Sequence, residues 1–230
     1  MKFRNHLLAD LSDSLRDGLL PGFAEVALAR GQVLYEAGQP VDYVYFPSTA
    51  VLSVVTVMRN GQAVESSTVG RESAAPLLSA LAGRSARTRI FAQIPGSAIR
   101  LGAERLRDAV QDSAELMRQV MDHAGAVAFQ AEQGVACNIL HDAPARLSRW
   151  ILMTQDRVGA DSLPLTQDYM AIMTGVQRST ISAVANQLRG AGLIRFSRGN
   201  VEVVDRDGLE AVACECYDAI RHEFEGLRAG

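Results

Sequence analysis

The sequence predicts an α+β protein built from an N-terminal antiparallel β-roll of jelly-roll type, one long dimerisation helix and a C-terminal winged helix-turn-helix. Three observations carry this. Short β-rich runs punctuated by turn residues fill the stretch from Val26 to Leu101, the apolar period lengthens to that of a helix from about Ala103 to Leu140, and a helix-turn-helix packing pattern opens at Gln167. At 230 residues the chain exceeds what one core usually organises. The expected division is a roll over 1–112, the dimerisation helix over 113–140 and the helix-turn-helix domain over 141–230.

In the roll, the β-runs are Gln32 to Tyr35, Tyr43 to Phe46, Val51 to Val57, Ala63 to Val69, Arg89 to Ile94 and Ala98 to Leu101, with Gly31, Gly38-Gln39-Pro40, Gly70 and Pro95-Gly96 at the corners. Asn60-Gly61 between alternating β-formers is the strongest hairpin signal, because a type I′ turn needs positive φ at both central positions.

Along the helix, Met117, Val120, Ala124, Val127, Ala131 and Gly134 recur at steps of three and four, the seam of a two-stranded coiled coil. Small residues there (Ala124, Gly125, Ala128, Ala131, Gly134) allow close backbone approach. Two uses fit: packing on the chain's own core, or, as the reading adopted, pairing with a second copy as a parallel homodimer. His141-Asp142-Ala143-Pro144 then interrupts the pattern, a short amphipathic stretch follows through Leu147, Trp150, Ile151 and Thr154, and Gly159 to Leu165 reads as a loop.

Counting from Gln167 as position one, Met170 is fourth, Ala171 fifth, Gly175 ninth, Ile181 fifteenth and Val184 eighteenth. Each has a steric reason. Ala171 lets the second helix cross close to the first, Gly175 takes a positive φ, and Ile181, Val184 and Leu188 share one helical face. The second helix, Gln177 to Gly190, crowds Gln177, Arg178, Ser179, Thr180 and Ser182 at the end that enters a major groove. Leu193 to Val204 reads as a β-hairpin turning at Arg198-Gly199-Asn200. As a wing it would offer Arg195, Arg198 and Asn200 to phosphates. Tyr169 to Val201 holds four arginines and no acid, a basic island in a chain of net charge −3.

Composition sets the outer limits. With 48% hydrophobic and 21% charged residues the chain is a globular one, not collagen-like, disordered or a disulfide scaffold. Val51 to Met58 falls far short of the ~20 apolar residues of a membrane span, and no signal-peptide apolar region develops after Leu7-Leu8-Ala9, so no membrane partner is expected and the cytoplasm is the expected location. Three cysteines, Cys137, Cys214 and Cys216, read as free thiols.

Roll, seam helix and winged helix-turn-helix in that order resemble the Crp/Fnr family of bacterial transcription regulators from Leu20 to Val204. Gly31-Gln32-Val33-Leu34-Tyr35-Glu36-Ala37-Gly38 with Val44-Tyr45-Phe46 is similar to the start of that family's cyclic-nucleotide-binding-like sensor roll. Thr166 to Ala171 and Gln177 to Ile181 resemble its DNA-reading helices. The resemblance implies a dimer reading a palindromic operator in double-stranded DNA, RNA polymerase as a further partner, and Arg178 as a guanine reader, an assignment that bidentate Arg–guanine geometry also favours. Ser179 stands where many members have a base-reading glutamate, and Ala183 where some have a second arginine. The half-site should differ accordingly.

The family's nucleotide pocket is implied at Gly70, Glu72, Arg84 and Ser85, although Arg71 intrudes into the Gly-Glu pair and Arg87-Thr88 competes with Arg84-Ser85. Arg84, Arg87 and Arg89 also fit a solvated strand face. Ala114 to Cys137 contains neither Ser nor Thr to meet a purine, so cyclic AMP is not expected and the effector, if there is one, is unknown. No cysteine precedes Cys137, which excludes the family's N-terminal iron–sulfur cluster. Haem ligation by His6, His123, His141 or His222 has no supporting pattern. Cys214 and Cys216, taken as i and i+2 on a helix, point apart. Cys137 and His141, at i and i+4, could be two metal ligands but have no others near in sequence, so no metal is expected.

The leading expectation is a sequence-specific DNA-binding regulator. The alternative is a signal-binding module that acts through a protein partner and keeps only residual DNA affinity. No phosphate-cradling loop, nucleophile elbow or paired metal-binding histidines suggest an enzyme.

Overall fold

A computed structural model describes residues 3–197 and 199–228, which divide into two compact units. The first comprises 1–55, 67–128 and 224–230, and the second 56–66 and 129–223.

The N-terminal part opens with α1 (His6–Ala9), α2 (Asp13–Leu19) and a 3-10 turn at Leu20–Gly22, followed by β1 (Ala24–Leu28), β2 (Val33–Tyr35), β3 (Tyr43–Pro47), β4 (Val51–Val57), β5 (Ala63–Val69), α3 (Leu77–Leu81), β6 (Arg89–Ile94) and β7 (Gly96–Gly102). The strands form two sheets, ordered β1-β7-β3 and β2-β6-β4-β5, with antiparallel pairing throughout the registered ladders. Between them lies one apolar cluster that includes Leu28, Tyr35, Leu52, Val69, Ile90 and Ala98. A second cluster joins Val44, Phe46, Ile99 and Leu101 from the sheet to Leu7, Leu8, Leu106, Leu116, Val120 and Ala124 from the helices. Burial of these alternating side chains drives the roll to close. Asn5 anchors the start of the chain: its buried amide donates to the carbonyls of Pro47 (3.0 Å) and Ser73 (2.7 Å).

Three local expectations change. β1 lies ahead of the first predicted run, since Ala24 and Val26 alternate with Glu25 and Ala27 too weakly to announce a strand. The hairpin at Asn60-Gly61 exists, but five residues connect β4 to β5. Gly61 takes φ 84°, and Asn60 Oδ1 accepts from the Gln62 N–H (3.1 Å) in place of a two-residue turn. The helical run from Ala103 is two helices, α4 (Ala103–Asp112) and α5 (Ala114–Leu140). Ser113 adopts an extended backbone and its hydroxyl accepts from the Leu116 N–H (3.1 Å), which starts a new helix.

The second unit continues with α6 (Ala143–Val158), β8 (Ser162–Leu163), α7 (Gln167–Thr174), α8 (Arg178–Gly190), β9 (Ile194–Ser197), β10 (Asn200–Val203), α9 (Arg206–Val212) and all but the last turn of α10 (Cys216–Gly226). Asp142 caps α6 by accepting from the Ala145 N–H (3.0 Å), with Pro144 in the first turn and Gly159 closing the helix at φ 70°. This stretch is more than a short amphipathic segment. Leu147 through Gln155 are all buried, which makes α6 the central helix of the unit. The expected loop before Thr166 contributes β8, which pairs Leu163 with Val201 and so completes a three-stranded sheet, β8-β10-β9.

His123, on α5, is 5% exposed, and its Nδ1 has no hydrogen-bond partner among the described residues. Burial, above all, holds its pKa below the ordinary imidazole value, and the same cause depresses His6. The folded state therefore binds fewer protons than the unfolded chain, so this contribution to stability is present above about pH 6.5 and is lost as pH falls through the depressed folded value. The expected result is a urea midpoint that declines between about pH 7.5 and 5.5, with a shallower decline in His123→Gln. An unchanged slope in that variant would remove His123 from the account.

Candidate nucleic-acid interface

Helices α7 and α8 are set by their caps and their turn. Thr166 caps α7, its hydroxyl accepting from the Tyr169 N–H (3.3 Å). Gly175 closes the helix at φ 62°, ψ 29°, and the Val176 N–H reaches back to the Ala171 carbonyl (3.1 Å). Arg146 of α6 donates to the Thr174 carbonyl at the same end. Met170, Ile181, Ala185 and Leu188 are fully buried, as the steric pattern requires, which forces the opposite face of α8 outward.

A Cβ at Gly175 would meet nothing closer than 3.9 Å, so a substitution there is resisted by backbone strain and not by crowding. Gly175→Ala is expected to lower stability by about 1–2 kcal/mol, the usual penalty for an L-residue in the left-handed region, as read by urea unfolding. A neutral result would mean that the turn relaxes.

The outward face carries most of the expected readers. Gln177, Arg178, Ser179 and Thr180 are exposed at the start of α8. Gln177 occupies the cap position without using its side chain as a cap, so the first-turn N–H groups lack a side-chain acceptor from it. That leaves an electropositive helix end of the kind that takes phosphate. Ser182 is half-buried and differs from expectation: its hydroxyl donates to Gln167 Oε1 (2.9 Å), tying α8 to α7. Ala183, Asn186 and Gln187 are exposed on the same helix. Asn186 and Gln187 continue the polar face, and their spacing of three and four residues from Ala183, itself four from Ser179, is the signal that could have found them.

Arg178 forms an ion pair with Asp168 at the start of α7 (3.0 Å), both side chains being well exposed. In the wing, Arg195 pairs across the strands with Glu202 (2.7 Å). Asn200 begins β10, Gly199 turns at φ 86°, and Arg198 lies outside the described residues. Thr166, Gln167, Asp168, Arg178, Phe196, Ser197 and Gly199 line one open groove of about 300 Å³, so helix start and wing border a common concavity.

Residues 145–212, which contain this groove's elements, match the Crp-like helix-turn-helix domain, and residues 25–113 match the cyclic nucleotide-binding domain. The chain belongs to the Crp/Fnr family of transcriptional regulators. This Crp/Fnr protein shares its fold with FixK2 from Bradyrhizobium japonicum (17% identity, 84% of this chain and 98% of that one, TM-score 0.69). It is similarly close to a CRP-family transcriptional regulator from Thermus thermophilus (22% identity, 82% and 96%, TM-score 0.70). A third likeness is the c-di-GMP-responsive global regulator CLP from Xanthomonas campestris (12% identity, 84% and 99%, TM-score 0.68). No curated protein sequence matches the chain significantly. No helix among the described residues is long and apolar enough to cross a membrane.

Of the residues implied for an effector pocket, Gly70 and Glu72 bond to each other: the Glu72 carboxylate accepts the Gly70 N–H (2.9 Å), while Arg84 and Ser85 are exposed beyond α3. Arg89 pairs with Glu36 (3.3 Å). The predicted seam is also redistributed. Val120 and Ala124 are buried in the core of the first unit and Val127 packs against its roll cluster, while Ala131 and Gly134 are half-buried and Met117 is exposed. The exposed large apolar residues of α5 are Met117, Met121, Val135, Ile139 and Leu140, displaced around the helix from Val120, Ala124 and Val127, which pack within the first unit.

The thiols depart furthest from expectation. Cys214 precedes α10 and Cys216 begins it, so the two do not share a regular helix and their side chains converge. The hydrogen bond between the two thiols, chiefly, pulls the Cys137 thiol below its ordinary value and pushes Cys214 above it. The His141 imidazole is raised, first by its bond to Cys137.

Proposed function

We propose that this Crp/Fnr regulator works as a homodimer in the cytoplasm, reading a two-fold-symmetric operator in double-stranded DNA through the exposed start of α8 and passing the result to RNA polymerase. The observation that carries the reading is the α8 N-terminus. It has first-turn N–H groups that Gln177 does not cap, an exposed Arg178, and the wing turn across one groove. An arginine fork matches guanine O6 and N7, and the helix end suits the neighbouring phosphate. Gln177, Ser179 and Thr180 supply shorter donors and acceptors beside it.

Pairing is supported by the apolar residues that α5 leaves outward. Met117, Met121, Gly125, Ala128, Glu132, Val135 and Ile139 follow steps of three and four, the spacing of a helix-to-helix seam, with only Glu132 charged. In this reading Ala131 and Gly134 flank the contact, and Val120, Ala124 and Val127 hold the helix on its own roll. The engaged Glu72 carboxylate and the exposed Arg84 and Ser85 support an effector other than cyclic AMP, or none.

Selection of bound duplexes from a random pool by the purified protein tests this directly. The expected product is an inverted repeat whose half-sites lie about one helical turn apart, 10–10.5 base pairs. Repeating the selection with cyclic AMP, cyclic GMP and cyclic di-GMP reads the effector in the same assay. Enrichment of no sequence, or binding that ignores salt between about 50 and 200 mM, would favour a protein-docking module instead.

A further inference from the structure

The four ligand-type atoms of Cys137, His141, Cys214 and Cys216 lie within 4.8 Å of one another in the second unit. Cys137 Sγ is 3.4 Å from Cys214 Sγ, and Cys216 Sγ is 3.5 Å from His141 Nδ1. Tetrahedral zinc with Zn–S bonds of about 2.3 Å and Zn–N bonds of about 2.0 Å sets neighbouring ligand atoms roughly 3.5–3.8 Å apart, so the four need only small shifts to surround an ion. We propose that Cys137, His141 through Nδ1, Cys214 and Cys216 form a structural zinc site that ties the end of α5 to the α9–α10 connection.

Three features beyond the ligand set point to a cation. His141 Nε2 is 3.1 Å from Glu215 Oε2, which would fix the proton on Nε2 and turn the Nδ1 lone pair toward the sulfurs. This is the carboxylate–histidine arrangement that accompanies metal-bound imidazoles. Gln133 donates an N–H to Cys216 Sγ (3.3 Å), as second-layer donors do to zinc thiolates. Arg149 is nine-tenths buried. Its Nε has no partner among the described residues, and its Nη1 rests on the Met153 thioether (3.3 Å), a weak acceptor that leaves the positive charge poorly met. Three thiolates, one imidazole and Zn²⁺ carry a net charge of −1. That is the anion Arg149 lacks, and its guanidinium acts electrostatically on Cys137 and Cys214.

Four protein ligands close the coordination sphere, so the site would stabilise and not catalyse. A disulfide between Cys137 and Cys214 is the competing use of the same atoms, but it gives no role to Cys216, to the Glu215–His141 contact or to Arg149.

The test uses the full chain purified under reducing, anaerobic conditions. Elemental mass spectrometry is expected to find about one zinc per chain, and cobalt(II) added after zinc removal to give the thiolate charge-transfer and tetrahedral d–d bands. Zinc removal should lower the melting temperature, and zinc return should restore it. Cys137→Ser and Cys216→Ser should lose stoichiometric metal. Because those variants could fail to fold, Glu215→Gln, at a side chain 80% exposed, is the second arm, with an expected 10–100-fold loss of zinc affinity. Sub-stoichiometric zinc with no thiolate bands for cobalt overturns the proposal, as does a Cys137–Cys214 disulfide in place of metal, or full affinity in both Glu215→Gln and a folded Cys variant.

Discussion

Val135→Glu combined with Ile139→Glu is expected to yield a monomer that binds a full operator at least ~100-fold more weakly than the parent protein. Both side chains are strongly exposed within the chain, at 62% and 77%, so carboxylates there cost the folded subunit little. In the dimer they would lie on an apolar seam opposite their own copies, where paired negative charges lose hydration and repel. The large effect on DNA arises from valence. Once one reading head is bound, a linked second head meets its half-site at an effective concentration near millimolar, and an unlinked one does not. Sedimentation gives the oligomeric state and fluorescence anisotropy the affinity. An unaltered dimer would move the seam to another face. A monomer with undiminished operator affinity would end the two-headed reading.

Arg178→Ala should weaken operator binding by ~1–3 kcal/mol per half-site and relax the preference at one base pair in each. Its pair with Asp168 does not compete seriously with DNA. Exposed pairs of this sort are worth ~0–1 kcal/mol, less than a bidentate contact to guanine, so the arginine can exchange one partner for the other. Arg195→Ala provides the contrast, because loss of a phosphate contact weakens all duplexes alike and reduces the salt slope by about one. Binding to a library of single-base operator variants separates the two. Equal losses on operator and random duplexes for both variants would show that Arg178 touches only the backbone.

Much of the helix-turn-helix is legible in the sequence because its determinants are local. Gly175, Ala171, Ile181 and Val184 act through a turn and two adjacent helices, so a fixed spacing in the chain becomes a fixed spacing in space. The polar start of α8 follows from the same register. Ser182 reads as free although it faces α7, since its hydrogen bond to Gln167 depends on the crossing of the helices and not on the period of either. The sequence understates α6 for a related reason. Its apolar stripe is legible, but Ser148, Arg149, Thr154 and Gln155 on its other sides are buried as well by the elements packed around it, which no period along the chain reveals.

The sequence by itself determined the order of roll, long helix and winged reading head, because period, turn residues and caps are encoded within a few neighbouring positions. Tertiary structure decided which face of α5 is left for a partner, since that depends on the sheet and helices packed against Val120 and Ala124. It also decided that Cys214 and Cys216, more than seventy residues beyond Cys137, meet it and His141 around one point. Periodicity reports how side chains point along one element. Only the packing of distant elements fixes what they point at.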